Sequence, residues 1–261
     1  MRMIIIALLA LAIQAPPASS QGADFSWDGR MEPGSWLYIR NLNGPVRVEA
    51  ASGDRAEVRA VKREGRRGDP DDVRIEMRNA SGGGVIVCAF WSENATCDED
   101  GYRSRRGGDR NRNNDTKVEF TVRLPRGVKL AASTVNGEMR VSGATSQVDA
   151  STVNGDVDAM SSGGPVTAST VNGDIDVRMR EVGSADLEYT TVNGSITIEV
   201  PASLNADLDM RTVNGSLSSD FPITLRGRVN PHSLKATIGD GGRRLKLQTV
   251  NGSITLSKAG D

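Results

Sequence analysis

The stretch ASTVNGD occurs at Ala150–Asp156 and again at Ala168–Asp174, and its core, Thr-Val-Asn-Gly, occurs six times in the chain. Asn-Gly between apolar residues is a strong signal for a two-residue β-hairpin turn. The asparagines of successive copies are separated by 18, 18, 21, 21 and 37 residues. A near-constant period of about 20 residues is instead the scale of one coil in a β-solenoid.

The alternation of apolar residues through the motif decides against the hairpin. In a two-residue hairpin Val153 and Asp156 would be cross-strand partners, and Val157 would point away from Val153. In the sequence Val153, Gly155 and Val157 are alternate residues, which lie on one face of a strand, and later copies repeat this alternation. The pattern predicts a continuous half-buried strand that begins at Val-Asn-Gly, with the valine and the glycine on its inner face.

A break in this alternation lies just before each motif. An apolar pair such as Val148 and Ala150 precedes every copy, and the motif valine follows the pair by three positions rather than two. A strand cannot keep one face buried across that spacing without a bend or bulge. We therefore expect a corner at the threonine and the residue before it.

The same spacing identifies irregular copies near both ends of the array. The segment LYIRNLNGPVRV, Leu37–Val48, has Asn41 in place of the threonine and Leu42 in place of the valine. Atypical terminal repeats are expected because the end layers must close an open edge. The 37-residue gap predicts an enlarged layer whose candidate core residues are Ile223, Leu225, Leu234, Ala236 and Ile238.

The Asn-Gly pairs are interpreted as structural markers of each coil. Identical asparagines in layers about 4.8 Å apart can form a ladder of hydrogen bonds. The glycine is required either because the coil narrows there or because the backbone needs a positive φ. The residues of this set are Asn136, Gly137, Asn154, Gly155, Asn172, Gly173, Asn193, Gly194, Asn214, Gly215, Asn251 and Gly252.

The first 20 residues have the pattern of a secretory signal peptide. Arg2 precedes the apolar run Met3–Ile13, which is too short to span a bilayer, and Ala18 and Ser20 are small residues suited to cleavage before Gln21. No later stretch has the roughly 20 apolar residues of a membrane-spanning helix. We expect an exported protein, periplasmic or at the cell surface, with no transmembrane segment in the mature chain.

Composition and patterning predict an all-β fold in one elongated domain, residues 21–261. The irregular part, 21–125, contains candidate strands at Ala56–Val61, Val73–Met77, Val85–Ala89 and Val118–Leu124, whereas 126–261 is the regular array with repeats of about 18–21 residues. Asp98–Asp115 lacks apolar periodicity and is expected to be a mobile loop. The net charge of −1 argues against nucleic acid as a partner.

Cys88 and Cys97 are the only cysteines. In an exported protein a pair nine residues apart favours a disulfide, and a metal pair or free thiols are the alternatives. With one histidine in the chain, a Cys/His zinc site cannot be assembled.

Acidic residues are the polar groups with the most regular placement in the array. Glu138, Asp156 and Asp174 share one predicted outward column, and Asp158 and Asp176 share the next. Three interpretations are open: a solvated acidic face, a site for a divalent cation or a polar ligand between layers, or the paired carboxylates of an enzyme acting on polysaccharides.

The sequence contains no known catalytic motif beside these acids. The single histidine, His232, has no nucleophile and orienting acid placed beside it in sequence, and no nucleophile elbow, phosphate-binding loop or zinc-protease helix occurs. We expect no enzymatic activity, no cofactor and no metal, and interpret His232 as a solvated or capping residue.

Three features resemble the DUF4097 family of putative adhesins, which is related to head-domain adhesins of the GIN type. They are the segment VEFTVRLPRGVKLAASTVNGEMRV, the serial Thr-Val-Asn-Gly units and the ending ATIGDGGRRLKLQTVNGSITL. The resemblance spans roughly Trp36 to Leu256. It implies a β-solenoid at the cell envelope with a link to adhesion or envelope-stress signalling. The extended polar faces of such a solenoid predict a binding or scaffold protein whose partner is a protein or a glycan. A polysaccharide-acting enzyme and a periplasmic partner in envelope-stress signalling are the alternatives.

Overall fold

The computed structural model describes residues 24–104, 113–225 and 230–260, and these are almost entirely β. The irregular N-terminal part contains β1 (Phe25–Arg30), β2 (Trp36–Arg40), β3 (Val46–Ala50), β4 (Arg55–Arg63), β5 (Arg74–Asn79), β6 (Val85–Phe90), β7 (Ala95–Asp98), β8 (Gly101–Ser104) and β9 (Lys117–Leu124), with short 3-10 turns at Pro70–Asp72 and Ser81–Gly83. The predicted signal peptide, 1–20, lies outside the described residues.

The array supplies the remaining strands. They are β10 (Lys129–Ser133), β11 (Met139–Ala144), β12 (Val148–Ser151), β13 (Val157–Ser161), β14 (Val166–Ser169), β15 (Ile175–Met179), β16 (Leu187–Thr190), β17 (Ile196–Val200), β18 (Ala206–Arg211), β19 (Leu217–Ser219), β20 (Ile223–Leu225), β21 (Ser233–Ile238), β22 (Arg243–Gln248) and β23 (Ile254–Lys258).

Two large sheets enclose the core. Sheet A has the order β1-β4-β9-β3-β11-β13-β15-β17-β23-β19, and sheet B has the order β20-β21-β18-β22-β16-β14-β12-β10-β2-β6-β5. Each coil gives one strand to sheet B, turns at its Thr-Val-Asn-Gly motif, and gives the next strand to sheet A. Equivalent positions of neighbouring coils are paired in parallel, as for Val148 with Val166 and Val157 with Ile175. The predicted β-solenoid is confirmed.

The core is a thin layer of alternate side chains from both sheets. Val148 and Ala150 of sheet B and Val157 and Ala159 of sheet A are almost completely buried, and their counterparts in other coils behave alike. This arrangement follows from the two-residue period of a strand, which sends alternate side chains to opposite faces. The apolar pairs before and after each motif therefore line one continuous core.

The motif threonines, rather than the motif valines, face the interior. All six threonines are only 1–5% exposed, whereas five of the six valines are 36–60% exposed. Thr152 Oγ1 donates a hydrogen bond to the carbonyl oxygen of Gly137 in the neighbouring coil, 3.0 Å away, and the other threonines repeat this bond. The prediction that the valine faces inward is therefore wrong. A buried hydroxyl requires a partner, and the inward position supplies one.

The corner is also longer than the sequence pattern predicted. The whole segment from Thr152 to Asp156 forms it, and the strand in sheet A begins at Val157 rather than at Val153. In the N-terminal copy Asn41 takes the place of the threonine. Its Nδ2 donates to the carbonyl oxygens of Gly44 and Val118 at 3.0 and 2.9 Å.

The glycines lie against the neighbouring coil and do not project into the core. A Cβ atom added to Gly155 would lie 2.1 Å from the carbonyl oxygen of Gly137, and the other motif glycines meet the adjacent glycine or its equivalent at 1.9–2.2 Å. The prediction that the glycine points into the core is therefore wrong, because it points toward the adjacent coil. The position excludes a side chain because two backbones approach each other along the stacking axis.

The motif asparagines form one ladder outside the corner. Asn154 Nδ2 donates to Asn136 Oδ1 at 2.8 Å, and the series continues through Asn172, Asn193, Asn251 and Asn214 at 2.7–2.8 Å. The order of this ladder departs from the order of the sequence. The last copy, Asn251, lies between Asn193 and Asn214.

The 37-residue gap is therefore a crossover and not an enlarged layer. Strands β22 and β23 insert between the coil of β16 and β17 and the coil of β18 and β19. The residues predicted as the core of an extra layer belong to β20 and β21, which form an antiparallel cap on β18. Ala236 and Ile238 of this cap are buried, and Ile223 and Leu234 pack against the core. Nothing is described for the side chain of Leu225.

The irregular N-terminal strands close the other end of the solenoid. Strands β9, β4 and β1 continue sheet A, and β6 and β5 continue sheet B. The four strands predicted there are confirmed within two residues at each end. Part of the segment predicted to be a mobile loop has regular structure, because Asp98 and Gly101–Ser104 belong to the hairpin of β7 and β8. Residues 105–112 of that loop lie outside the described residues.

Replacing Gly155 with alanine tests the contact between coils. We expect a loss of about 1–3 kcal/mol or more in unfolding free energy, because the new methyl group collides with backbone that cannot rotate away. Gly53 is the matched control, since a Cβ there meets no atom within 4 Å. Urea unfolding measures both variants. Equal effects of G155A and G53A would contradict the contact.

Single substitutions of Thr152 and Val153 test which of these two side chains faces the interior. Thr152→Val should cost about 1 kcal/mol, because the hydroxyl bond to the Gly137 carbonyl is lost. Val153→Thr should change the stability by less than about 0.5 kcal/mol, because the valine is on the surface. Thermal unfolding of both variants measures the difference. A larger loss for V153T than for T152V would show that the valine is the inward residue.

Candidate binding groove

A disulfide-bonded hairpin lies on the outer face of sheet B. The outward side chains of β6, Ile86, Cys88 and Phe90, would otherwise be exposed, and the hairpin of β7 and β8 covers them to form a second, small apolar cluster. Cys88 is bonded to Cys97 within this cluster, so the predicted disulfide is confirmed. The hairpin thereby becomes a fixed wall beside the exposed part of the sheet.

The exposed outer face of sheet B next to this wall is a groove of about 570 Å³. Its floor carries small outward side chains from three adjacent strands, which leave the surface flat and rich in hydroxyl groups. Taller side chains of β2 and of the hairpin border it on one side, and β16 borders it on the other. Its lining residues are Trp36, Tyr38, Arg40, Glu99, Ala131, Asp149, Ala150, Ser151, Thr167, Ala168, Ser169, Glu188 and Thr190.

A stacked column of cations and aromatic rings forms the border on β2. Trp36, Tyr38 and Arg40 are alternate residues of one strand and therefore project from the same face. The Trp36 and Tyr38 rings stack with centroids 5.7 Å apart, and the Arg40 guanidinium lies 5.3 Å from the Tyr38 centroid. Lys129 Nζ lies 5.4 Å from the Trp36 ring. These contacts restrict the rotation of the two rings that line the groove.

Arg40 connects this column to the hairpin wall. Its side chain donates to the carbonyl oxygen of Glu99 and, at 3.4 Å, to Ser133 Oγ, whereas its Nε makes no hydrogen bond within the described residues. Burial lowers the pKa of Arg40, and the pKa of Tyr38 is raised by burial and then by the charge of Glu99. Arg40 stays charged and Tyr38 stays a neutral phenol at physiological pH.

The carboxylates of the groove accept hydrogen bonds from neighbouring groups. Glu99 accepts from the Ser81 backbone and hydroxyl at 2.7 and 2.8 Å, and these bonds lower its pKa. Asp149 accepts from Thr167 Oγ1 at 2.7 Å, and Glu188 pairs with Lys246 at 2.7 Å. Each of these acids therefore already accepts a hydrogen bond from a neighbouring group.

The acidic columns predicted from the sequence lie elsewhere, along the corner and the outer face of sheet A. Asp156 Oδ1 accepts the backbone N–H of Asp174 at 2.8 Å, and Asp174 Oδ1 accepts that of Ser195 at 2.7 Å. Their carboxylates thus join successive coils. Glu138 forms an ion pair with Arg140, whose Nε also lies 3.7 Å from Asp158 Oδ2.

The second acidic column, formed by Asp158 and Asp176, brings two like charges together. Asp158 and Asp176 are paired across β13 and β15. Desolvation, followed by the repulsion from Asp158, raises the pKa of Asp176. Within 24–104, 113–225 and 230–260, no group of three or more histidine, cysteine, aspartate or glutamate side chains is arranged to hold a metal ion.

Sequence reasoning did not identify the groove residues. The alternation of large polar or aromatic side chains in WLYIR, Trp36–Arg40, was a usable signal, because Leu37 and Ile39 already marked the buried face. The partners of these residues come from β10, β12, β14 and the hairpin, and no local pattern connects those segments.

Comparison with known proteins identifies a family that matches most of the chain. The sequence profile of the Toastrack DUF4097 family matches residues 37–257. No curated protein matches the chain significantly. None of the helices in the described ranges is long and apolar enough to cross a membrane.

Similar solved structures share little sequence with this chain. A putative cell adhesion protein from Clostridium sporogenes is 10% identical with a TM-score of 0.48, and the alignment covers 90% of this chain and 99% of the other. A putative adhesin from Bacteroides fragilis is 11% identical with a TM-score of 0.30, covering 90% and 96%. A putative adhesin from Parabacteroides distasonis is 10% identical with a TM-score of 0.28, covering 92% and 98%.

The pKa of Asp176, raised by burial and then by the repulsion from Asp158, predicts a pH-dependent stability change for Asp176→Asn. Because the folded-state pKa is raised, the folded protein binds this proton more tightly than the unfolded chain, and stability falls as pH rises through the folded pKa. The variant should therefore have the higher Tm at neutral pH, and the gain should vanish below the unfolded pKa of about 3.9. Thermal unfolding across this range measures it. A gain independent of pH would exclude the charge as its cause.

Proposed function

Because the chain belongs to the Toastrack DUF4097 family, we propose that it is an exported binding protein of the cell envelope, an adhesin without catalytic activity. In this proposal residues 21–261 act as one elongated domain, and a glycan at the envelope binds in the groove on sheet B. The observation that carries the proposal is the groove itself, a rigid polar surface bordered by the Trp36–Tyr38 column.

The chemistry of the groove favours a glycan over a protein partner. Its floor offers hydroxyl groups of Ser151, Thr167 and Ser169, and its acids and Arg40 add fixed acceptors and a cation. A glycan presents many hydroxyl groups that can donate and accept in turn, with apolar C–H edges that suit aromatic rings. Protein interfaces of high affinity instead depend on large apolar anchors in desolvated pockets.

The spacing of the borders suits an extended ligand. Trp36 and Tyr38 on β2 are separated from Glu188 on β16 by three intervening strands. With neighbouring strands about 4.8 Å apart, the floor is about 19 Å across. An oligosaccharide lying across the strands would contact one hydroxyl-bearing coil after another, and the repeat of the protein would match a repeat in the ligand.

The state of the acids supports binding rather than hydrolysis. A glycosidase needs one protonated acid and one free carboxylate on opposite sides of the bond to be cleaved. In this groove Asp149 and Glu188 are engaged by Thr167 and Lys246, and hydrogen bonds favour the ionised form of Glu99. Glu99 is therefore not set up as a proton donor, and the other two acids already accept hydrogen bonds from neighbouring side chains.

The disulfide supports the proposal of export. Cys88 and Cys97 hold the hairpin that forms one side of the groove, and such bonds persist in oxidising compartments such as the periplasm or the cell exterior. The signal pattern of residues 1–20 agrees with this location.

Binding of the purified mature protein to a glycan array and to intact bacterial cells tests the proposal. Trp36→Ala combined with Tyr38→Ala should weaken binding by at least about tenfold, since it removes the border of the groove. Met160→Ala is the control, because Met160 is 42% exposed on the opposite sheet. Circular dichroism verifies that both variants fold.

Three outcomes would contradict the proposal. Equal loss in M160A would show that the groove is not the site. Binding only to protein components of the cell would exclude the glycan. Release of sugar products from any bound glycan would establish an enzyme.

A further inference from the structure

The seven Asn-Gly pairs of the chain are chemically similar but structurally different. Asn-Gly is the sequence most prone to deamidation, because glycine has no side chain to shield its backbone nitrogen. In the reaction the glycine nitrogen attacks the asparagine Cγ, the new N–Cγ bond replaces the Cγ–Nδ2 bond, and ammonia leaves with the proton of the N–H. Water then opens the cyclic imide to aspartate or isoaspartate.

Stacking of the coils engages the attacking nitrogen in six of the seven pairs. Each of these glycine N–H groups donates to the carbonyl oxygen of an asparagine in the adjacent coil at 2.8–3.0 Å; the donors are Gly44, Gly137, Gly155, Gly173, Gly194 and Gly252. The nitrogen can attack only after this bond opens. Gly215 differs, because its N–H makes no hydrogen bond within the described residues.

The asparagine of the same pair lies at one end of the ladder and makes a single ladder bond there. Asn136, Asn154, Asn172, Asn193 and Asn251 each accept an amide from the next coil, whereas Asn214 donates to Asn251 and accepts nothing within the described residues. Its coil is the last of sheet A, because β19 is the edge strand. The preceding Val213 is 60% exposed, the most exposed of the large apolar residues in the described ranges.

We propose that Asn214 is a site of spontaneous modification, deamidated first among the seven Asn-Gly pairs of the folded protein. Within the described residues, attack by the Gly215 nitrogen requires no backbone hydrogen bond to open, and rotation of the Asn214 side chain breaks only its single bond to Asn251. The product loses the amide that donates to Asn251 Oδ1 and places a carboxylate there instead. Deamidation thus weakens the end of the ladder as an exported molecule ages.

Incubation of the folded full-length mature protein in mildly alkaline buffer, followed by peptide mapping with isoaspartate detection, tests this inference. Asn214 should convert at least about tenfold faster than Asn154, because reaction at Asn154 requires local opening of the stack. In urea the seven pairs should convert at comparable rates. Asn214→Gln should abolish the early product, and the matched Asn154→Gln should leave it unchanged.

Conversion of Asn154 or another pair as fast as Asn214 would overturn the proposal. So would a folded protein in which Asn214 stays intact while the urea-treated protein reacts at all seven pairs. Both variants are checked for folding by thermal unfolding, so a loss of structure cannot imitate protection.

Discussion

The hydrogen bond from each motif threonine to the glycine carbonyl of the next coil is the interaction on which this structure depends. It lies at the corner where the chain passes from sheet B to sheet A, and it repeats in every regular coil. The same carbonyl oxygen leaves no room for a side chain at the stacked glycine. In each coil the carbonyl oxygen of the motif glycine therefore favours threonine, which bonds to it, and requires glycine at the position stacked against it.

Fixing the corner also fixes both sheets. Once the coils are in register there, Val148 must stack on Val166 and Val157 on Ile175, and every outward position forms a column along the solenoid. Columns on sheet A bring like charges together, as for Asp158 and Asp176, and burial followed by this repulsion raises the pKa of Asp176. Columns on sheet B bring small hydroxyl-bearing residues together and leave a flat floor for the groove.

The ends of the solenoid carry the individual features of this protein. At the N-terminal end, the antiparallel strands that close the stack also support the hairpin bonded through Cys88 and Cys97, which borders the groove. At the C-terminal end, the crossover leaves the coil of Asn214 as the last of sheet A, without a neighbour to hold Gly215. The regular middle repeats one arrangement from coil to coil, whereas the features that distinguish this protein lie at its irregular ends.

The sequence by itself determined the solenoid, the presence of two strands and a corner in each coil, and the terminal copy at Leu37–Val48, because these depend on local spacing and on the alternation of side chains. Only the tertiary structure decided that Thr152 faces inward and Val153 outward, because the hydroxyl is satisfied by a carbonyl of another coil. It also decided that Asn251 stacks on Asn193, and that Trp36, Asp149 and Glu99 share one groove. These relations join segments distant along the chain, and no local pattern contains their partners.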